Sequence, residues 1–304
     1  MTPTVFICNS ISELLQHAGM GEHVPLSTSI PLDDNSASKL LKAAAPLCRD
    51  NWRIYVERLD DGTKYCFGVF CGSSDPASLS VDEVIFNDTT TEFPIVKIAQ
   101  SAINKVEVRT SAGKRVEFRF NDDVDVNELN NQAHIQGLAK AISNGAGTQS
   151  ELFSGFVERL LTSAIKNSHG TLIAVLPCGI NALPNSLQDV VPLMPPVNLY
   201  ERFARHIEEG KTATSVGRLQ TAVELVSGFI CSDGITIFNG SGNVLGYRAF
   251  IRSDATNTPS AGGARSRAYA SMCSLIGSNL DAVFFRSQDG GTQFLQRTMD
   301  STNE

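Results

Sequence analysis

The first half of the chain contains two pairs of segments in which apolar and polar residues alternate. Residues 53–59 and 64–70 alternate on either side of a turn-forming Asp-Asp-Gly at 60–62. Residues 105–109 and 115–120 alternate around a second short turn that contains glycine. Alternation with a period of two around such turns is typical of β-hairpins. These hairpins predict an α+β unit with a substantial sheet in this half.

The second half shows helical spacing as well as apolar runs. Apolar residues recur every three or four positions between residues 153 and 165, which is typical of an amphipathic helix. Residues 171–176, Thr-Leu-Ile-Ala-Val-Leu, form an apolar run that is typical of a buried strand. The same criteria predict the following elements: helices at 38–47, around 200–207, from 216 up to Gly228, and at 265–276 with Gly277 closing it, strands at 236–238, 244–247 and 282–285, and a long connection through Pro192, Pro195 and Pro196. The predicted fold class is α/β (α+β), with a mixed central sheet flanked by helices in the second half.

A small, polar segment separates the two patterns. Residues 143–150 read Ser-Asn-Gly-Ala-Gly-Thr-Gln-Ser, a composition that is typical of a domain linker. We therefore predict an α+β domain at residues 1–145 and a second domain at residues 151–304. The first domain contains no recognisable catalytic motif, and we predict a sensor or regulatory role for it.

The composition of the chain mainly excludes several classes of protein. The 304 residues are 42% hydrophobic and 19% charged, which is typical of a globular chain with a sizeable core. A net charge of −7 argues against a protein that coats long nucleic acid. We expect no membrane span, because no run of about 18 apolar residues occurs, and no export signal, because the N-terminus lacks the required pattern. Seven cysteines without a CxxC or Cys/His cluster are typical of reduced thiols, so the expected location is cytoplasmic.

Paired glycines followed by two arginines open the last predicted helix. The sequence at 262–267 is Gly-Gly-Ala-Arg-Ser-Arg. Backbone N–H groups at a helix start point outward at the positive end of the helix dipole, and arginine adds a planar fork of donors that matches phosphate oxygens. Every basic residue between positions 248 and 297 is arginine, which suits bidentate recognition. The pattern predicts a phosphate-bearing ligand; the alternative is a solvated first helical turn after a flexible loop.

A second motif precedes this helix, and the two together resemble a known family. Asp-Gly-Ile at 233–235 is followed by Gly-Ala-Arg-Ser-Arg-Ala-Tyr at 263–269, and Ser-Gln-Asp at 287–289 follows the last predicted core strand. The order and spacing of these motifs, after the helix and strand of residues 153–176, resemble the diadenylate cyclase domain, which joins two ATP molecules into cyclic di-AMP. The family's counterparts are Asp-Gly-Ala, Gly-Thr-Arg-His-Arg-Ala-Ala and Ser-Glu-Glu. The resemblance covers about the C-terminal half.

The resemblance implies a definite chemistry. Asp233 would orient or deprotonate the ribose 3′-hydroxyl that attacks the α-phosphate of the other ATP, and Asp233 and Asp289 would hold Mg²⁺ or Mn²⁺. Because the two ATP molecules react with each other, two such domains must face one another, and we expect a homo-oligomer. The nucleotide-binding residues implied by the resemblance are Gly234, Ile235, Gly263, Ala264, Arg265, Ser266, Arg267, Ser287 and Gln288.

Departures from the family pattern leave three interpretations open. Ala264, Ser266 and Gln288 stand where the family has threonine, histidine and glutamate, and Ser232 stands where some members have a metal-binding histidine. Asp-Gly is also a common turn sequence. The first interpretation, favoured by the retained Asp233 and arginines, is a diadenylate cyclase-like nucleotidyltransferase. The second is a catalytically weakened protein that senses ATP or a cyclic dinucleotide. The third is an assembly scaffold that keeps the fold without the pocket.

Overall fold

The computed structural model divides the chain into two compact units, Met1–Val124 and Asp125–Glu304. The structure describes residues 3–17, 22–31, 33, 35–48, 52–59, 62–73, 75–79, 81–87, 93–102, 105–120, 126–251 and 263–297. Asp60 and Asp61 of the predicted hairpin turn and Gly262 of the predicted phosphate motif lie outside these residues. None of the described helices is both long and apolar enough to cross a membrane.

The first unit is built on a seven-stranded sheet. Its strands are β1 (Thr4–Cys8), β2 (His23–Pro31), β3 (Trp52–Arg58), β4 (Lys64–Cys71), β5 (Val96–Ala102), β6 (Lys105–Thr110) and β7 (Arg115–Arg119). The described helices are α1 (Ile11–His17), α2 (Ser36–Ala44), which continues into a 3₁₀ turn (Ala45–Leu47), and α3 (Val81–Asn87). The strand order is β2-β4-β3-β1-β5-β6-β7, in which β1 and β3 are parallel and the other neighbours are antiparallel.

Helices cover parts of both faces of this sheet. Phe6 and Tyr55 belong to a cluster with buried residues of α1 and α3 on one face. Ile54, one position earlier on β3, packs with Leu40 of α2 on the other face. Successive residues of a strand point to opposite faces, so the alternation seen in the sequence corresponds to two apolar layers. Both predicted hairpins and the predicted helix at 38–47 are confirmed.

The second unit is also a mixed sheet flanked by helices. Its strands are β8 (Thr171–Leu176), β9 (Leu187–Gln188), β10 (Val191–Asn198), β11 (Ile235–Asn239), β12 (Asn243–Ile251), β13 (Ala282–Arg286) and β14 (Thr292–Gln296). The described helices are α4 (Val126–Ser143), α5 (Ser150–Asn167), α6 (Leu199–Glu208), α7 (Ala213–Cys231) and α8 (Ala264–Cys273). The strand order is β10-β12-β11-β8-β13-β14, with β9 beside β12, and only the β8–β11 pair is parallel among the described pairs. The predicted α/β (α+β) class is confirmed.

Opposite faces of this sheet carry different helices. Tyr269 and Met272 of α8 pack against one face in a cluster that includes Leu172. On the other face, the hydroxyls of Thr171 and Thr236 donate hydrogen bonds to backbone carbonyls of α7, at 2.8 and 3.0 Å. The sheet is therefore buried on both sides, which explains the continuous apolar run of β8.

Several element boundaries differ from the sequence prediction; helix α8, for example, ends at Cys273 and not at residue 276. The proline-containing connection forms strand β10 at an edge of the sheet, where a missing N–H is tolerated. Helix α7 does not end at Gly228 but runs to Cys231. Phe229 and Ile230 are buried in that last turn, and their burial outweighs the cost of about 1 kcal/mol for a glycine inside a helix.

The predicted linker is a short loop inside the second unit. Helix α4 precedes the loop, and its residues Leu138 and Ile142 are fully buried. The backbone N–H of Gly145 in the loop donates a hydrogen bond to the carbonyl of Gly240 at 2.7 Å. The division between the units therefore falls before α4, earlier in the chain than residues 143–150.

Candidate nucleotide-phosphate site

The three predicted motifs meet at one edge of the second sheet. Strands β8 and β11 run parallel, and Ile235 at the start of β11 pairs with Leu172 near the start of β8. Strand β13 runs antiparallel to β8, so that Arg286 at its end pairs with Thr171. The segments before β8 and β11 and the segment after β13 therefore lie at the same edge.

The turn that contains Asp233 is held by its neighbours. The hydroxyl of Ser232 donates a hydrogen bond to the carbonyl of Phe229 at 2.6 Å and ends helix α7. Gly234 has φ +95°, and a Cβ there would lie 2.9 Å from the Cα of Arg248. Only glycine satisfies both requirements easily. The turn thus presents Asp233 with 72% of its side chain exposed, while Ile235 is buried and belongs to the core.

Arg265 joins two of these segments. Its Nη2 donates a hydrogen bond to Oδ1 of Asp233 at 3.1 Å, and its Nη1 approaches the carbonyl of His169 at 3.4 Å. Gly170 has φ +102°, and a Cβ there would lie 3.4 Å from Nη1 of Arg265 and 3.4 Å from the backbone nitrogen of Gln288. The nearest atom to that Cβ would be the carbonyl oxygen of Arg286 at 3.0 Å, so a side chain at position 170 would crowd the backbone at the end of β13. Sequence reasoning did not assign Gly170 a role at the site.

The start of helix α8 offers backbone donors next to Arg265. Gly263 is the N-cap residue and supplies no side-chain cap, and the first turn contains no acidic residue. The N–H of Arg267 donates to the carbonyl of Gly263 at 3.1 Å, whereas the N–H groups of the first helical residues, Ala264 to Ser266, have no carbonyl four positions earlier within the helix. Such donors, at the positive end of the dipole, favour an anion.

The two arginines of the motif do not occupy equivalent positions. Residues that lie two positions apart in an α-helix are separated by about 200° around its axis. Arg265 is directed to Asp233, and Arg267 is exposed. The sequence motif treated them as a pair, but the helix gives them separate surroundings. Ser266, between them, is half-buried.

Arg286 is a second residue whose role sequence reasoning missed. Its Nη1 donates hydrogen bonds to the carbonyls of Ile165 and of Ser168, the latter at 2.7 Å. These carbonyls belong to the end of helix α5, where the last carbonyls lack helical partners and favour a cation. Arg286 therefore fixes the segment that leads through His169 and Gly170 to the site. The relevant signal was a basic residue at a strand end, which is too common to identify alone.

The Ser-Gln-Asp motif forms a tight turn between β13 and β14. The N–H of Ser287 donates to the carbonyl of Gly291 at 2.9 Å, and Gln288 and Asp289 are exposed in the turn. Asn131 of α4 braces it: its Nδ2 donates to the carbonyl of Gly290 at 3.1 Å, and its Oδ1 accepts from the Thr292 hydroxyl at 2.6 Å. Helix α4 thereby supports one wall of the site.

The donor set of the described residues is sparse for a metal ion. Within the described ranges, no three His, Cys, Asp or Glu side chains are grouped so that they could hold one. Asp233 is hydrogen-bonded to Arg265. Mg²⁺ often binds through one or two carboxylates and completes its shell with substrate phosphates and water. Asp233 fits that arrangement only with a nucleotide present, and among the described residues Asp289 belongs to no group of three such side chains.

Tyr269 of α8 has a structural role on the side of the helix that packs against the sheet. Its ring packs against Phe285 with 5.7 Å between the ring centroids. Burial, together with the nearby Cys273, raises the pKa of the Tyr269 hydroxyl well above its usual value. Tyr269 therefore stays protonated and anchors α8 to the sheet.

A separate cleft lies beside β10, α6 and α7. It has a volume of about 320 Å³, and its charged lining residues are Glu201, Arg202, Arg205, Glu209 and Arg218. Arg205 pairs with Glu201 at 2.6 Å and Arg218 with Glu209 at 3.1 Å. These pairs largely cancel the charge of the cleft, and none of the residues predicted from the sequence lines it.

Comparison with known proteins finds no family model, no curated protein and no solved structure that matches this chain.

Proposed function

We propose that the second unit binds the phosphates of ATP at the start of α8 and acts as a diadenylate cyclase-like nucleotidyltransferase. The observation that carries the proposal is the contact between Asp233 and Arg265 at 3.1 Å, beside a helix start without a side-chain cap. An acidic group and a cation next to the backbone donors of a helix start are what transfer of a nucleotidyl group requires. The resemblance of the motifs to the diadenylate cyclase domain supports the same reaction.

The proposed reaction joins two ATP molecules held by two facing copies of the unit. The 3′-hydroxyl oxygen of each ribose attacks the α-phosphorus of the other ATP, and the bond from that phosphorus to pyrophosphate breaks. Asp233 accepts or orients the hydroxyl proton, and Arg265 offsets negative charge that develops on the phosphate oxygens. The products are one cyclic dinucleotide and two pyrophosphates. Positioning of the two nucleotides accounts for much of the acceleration in such reactions.

A divalent cation belongs to this proposal. Mg²⁺ or Mn²⁺, when bound with the nucleotide, would reduce the charge on the triphosphate. Asp233 is the residue placed to share it, because it lies next to the proposed phosphate position and is largely exposed. Arg265 would then exchange its hydrogen bond to Asp233 for one to a phosphate oxygen.

A second candidate is a nucleotide sensor without turnover. The hydrogen bond that Arg265 donates to Asp233 favours it, since this contact occupies the carboxylate proposed as base and metal ligand. Ala264 and Ser266, which replace a threonine and a histidine of the resembled motif, also favour binding over catalysis. In this reading the first unit passes on the state of the nucleotide site.

One experiment separates the two candidates. The full chain is incubated with each nucleoside triphosphate and Mg²⁺ or Mn²⁺, products are resolved by mass, and binding is measured by calorimetry for the same samples. If the chain is an enzyme, we expect a cyclic dinucleotide as product. The rate of its formation should fall roughly a hundredfold in Asp233→Asn. Nucleotide binding should be retained in this variant, because the phosphate donors remain. Binding without product supports the sensor. Neither binding nor product contradicts both proposals.

A further inference from the structure

The two outer strands of the first sheet differ in how their edges are protected. Strand β2 contains Pro25 and Pro31 and pairs with β4 through two register shifts. Strand β7, at the opposite edge, contains no proline and pairs with β6 without a shift. Prolines and irregularities are common devices that stop an edge from pairing with another chain. Strand β7 lacks these two devices.

One face of β7 is apolar and exposed. Val116, Phe118 and Phe120 have 52%, 54% and 68% of their surface exposed. Through the pairs Val116–Val108 and Val108–Ile98, this row continues an apolar face across β6 and β5. Helix α2 packs on the same face, but against β2 and β4 at the other end of the sheet. The described chain therefore leaves the β7 end of this face accessible.

The unpaired backbone groups of β7 can be assigned from its hairpin. The N–H of Thr110 donates to the carbonyl of Lys114 at 2.9 Å, and Gly113 donates back to Thr110 at 3.0 Å. Hydrogen-bonded and non-hydrogen-bonded pairs alternate along an antiparallel ladder. Val116 and Phe118 therefore bond to β6, whereas the backbone groups of Arg115, Glu117 and Arg119 point away from the sheet.

The charges of β7 complement a second copy of β7 in one register. Arg115, Glu117 and Arg119 share the face opposite to Val116 and Phe118. Antiparallel pairing about Glu117 would oppose Glu117 to itself and Arg115 to Arg119, which is unfavourable. Pairing about Val116 would oppose Phe118 to Lys114. Pairing about Phe118 opposes each Glu117 to Arg119 of the other copy, Phe118 to Phe118, and Val116 to Phe120.

We propose that β7 is a self-association edge, on which a second copy of this chain pairs antiparallel about a two-fold axis at Phe118. The outward backbone groups of Glu117 and Arg119 then bond across the axis, as the antiparallel pattern requires. The first sheet of one copy continues into that of the other, and the apolar rows meet on one side. The proposal does not rest on the nucleotide site, because it concerns only the first unit.

Cross-linking through an introduced cysteine tests the register. The full chain carries Cys178→Ser and Cys231→Ser to remove the two exposed thiols, and receives either Phe118→Cys or Phe120→Cys. At the axis, the two Cα atoms of residue 118 would lie about 4.5 Å apart, within the range for a disulfide. The two copies of residue 120 would lie about 13 Å apart along the strands. Mild oxidation should cross-link the Phe118→Cys chain and leave the Phe120→Cys chain largely monomeric on a non-reducing gel.

Sedimentation of the full chain, without cross-linking, tests the surface. Phe118→Glu opposes two carboxylates at the axis, and we expect the dimer dissociation constant to rise at least about tenfold. Leu26→Glu is the matched control, because Leu26 is an exposed apolar residue on the opposite edge strand; it should leave the dimer unchanged. Fluorescence of Trp52 in β3 monitors the fold of each variant.

Mixing of charge variants gives a third, independent outcome. Glu117→Arg and Arg119→Glu each oppose like charges across the axis and, in the absence of nucleotide, should sediment as monomers. An equal mixture of the two restores opposite charges at both positions and should form a heterodimer. The proposal is overturned by a wild-type chain that stays monomeric, by equal cross-linking at positions 118 and 120, by equal effects of Phe118→Glu and Leu26→Glu, or by folded charge variants that do not complement.

Discussion

The guanidinium of Arg265, at the start of α8, donates a hydrogen bond to the carboxylate of Asp233, in the turn that ends α7, at 3.1 Å. The two residues belong to separate sequence motifs: Asp233 precedes β11, and Arg265 opens α8, the next described element after β12, whose end pairs with the start of β11. The contact leaves both side chains accessible, with 39% of Arg265 and 72% of Asp233 exposed. A pair in this setting contributes little to stability.

Arg265 is predicted to contribute more to nucleotide binding than Arg267. Arg265→Ala removes a charge-assisted hydrogen bond of about 1.5–3 kcal/mol, which corresponds to a loss of affinity for ATP of about tenfold or more. Arg267→Ala should have a smaller effect, because it lies elsewhere around the helix. Calorimetry with ATP measures both. Arg205→Ala, an exposed arginine paired with Glu201 on α6, is the control; equal affinities in all three variants would exclude the site.

Gly234 is predicted to be required for the geometry of the Asp233 turn. Alanine at φ +95° incurs the left-handed penalty of about 1–2 kcal/mol, and its Cβ also displaces the Arg248 backbone. Gly179→Ala is the matched control, with φ +76° and nothing within 4 Å of the added Cβ. We expect Gly234→Ala to lower the free energy of unfolding by about 1–3 kcal/mol more than Gly179→Ala does, in denaturant titrations. Equal losses would mean that contact with Arg248 has no consequence.

Helix α4 is predicted to be essential to the second unit. A fragment of residues 125–304 keeps it, whereas a fragment of residues 151–304 lacks it. Leu138 and Ile142 are fully buried, and loss of their burial alone removes about 3–6 kcal/mol. Chemical denaturation and binding of a hydrophobic dye should show a folded longer fragment and a loosened shorter one. Equal stability of the two fragments would mean that α4 does not contribute to the core of the second unit.

Stability of the first unit is predicted to fall at alkaline pH. Burial raises the pKa of Cys8 and of Cys66 from 9.0 to about 12, and that of Tyr55 from 10.0 to about 12. The unfolded chain therefore releases these protons at a lower pH than the folded chain does. The stability that these protonated groups contribute to the first unit is fully present below pH 9.0. It declines as the pH rises toward about 12. Urea unfolding followed by Trp52 fluorescence reports this, since Trp52 is the single tryptophan and lies in the first unit.

Cys66→Ser identifies one of the groups responsible. The thiol of Cys66 donates a hydrogen bond to Glu57 at 3.0 Å, and a serine hydroxyl retains a donor but does not titrate in this range. The alkaline decline should be smaller in this variant than in the wild type. Cys178→Ser, at an exposed position of the second unit, should leave the decline unchanged. A decline of the same size in Cys66→Ser would remove Cys66 from the explanation.

Much of the secondary structure follows from sequence alone. The alternation around residues 62 and 113 predicts the two hairpins because a strand exposes successive residues to opposite faces. The apolar run at 171–176 predicts β8 because a strand buried on both faces has no polar positions to alternate. Likewise, the residue types Asp-Gly and Gly-Ala-Arg predict a turn and a helix start without reference to distant parts of the chain.

Other features depend on contacts between distant residues. The placement of α4 in the second unit rests on the burial of Leu138 and on hydrogen bonds from Asn131 to a distant hairpin, so the polar loop at 143–150 misled the prediction of a boundary. The roles of Gly170 and Arg286 arise at the edge of the second sheet where β8 and β11 begin and β13 ends. The accessible edge of β7 arises because β7 is the outermost strand of the first sheet. Local sequence determines which conformations a segment prefers, but strand order and packing decide which segments become neighbours, because those contacts join residues that are far apart in the chain.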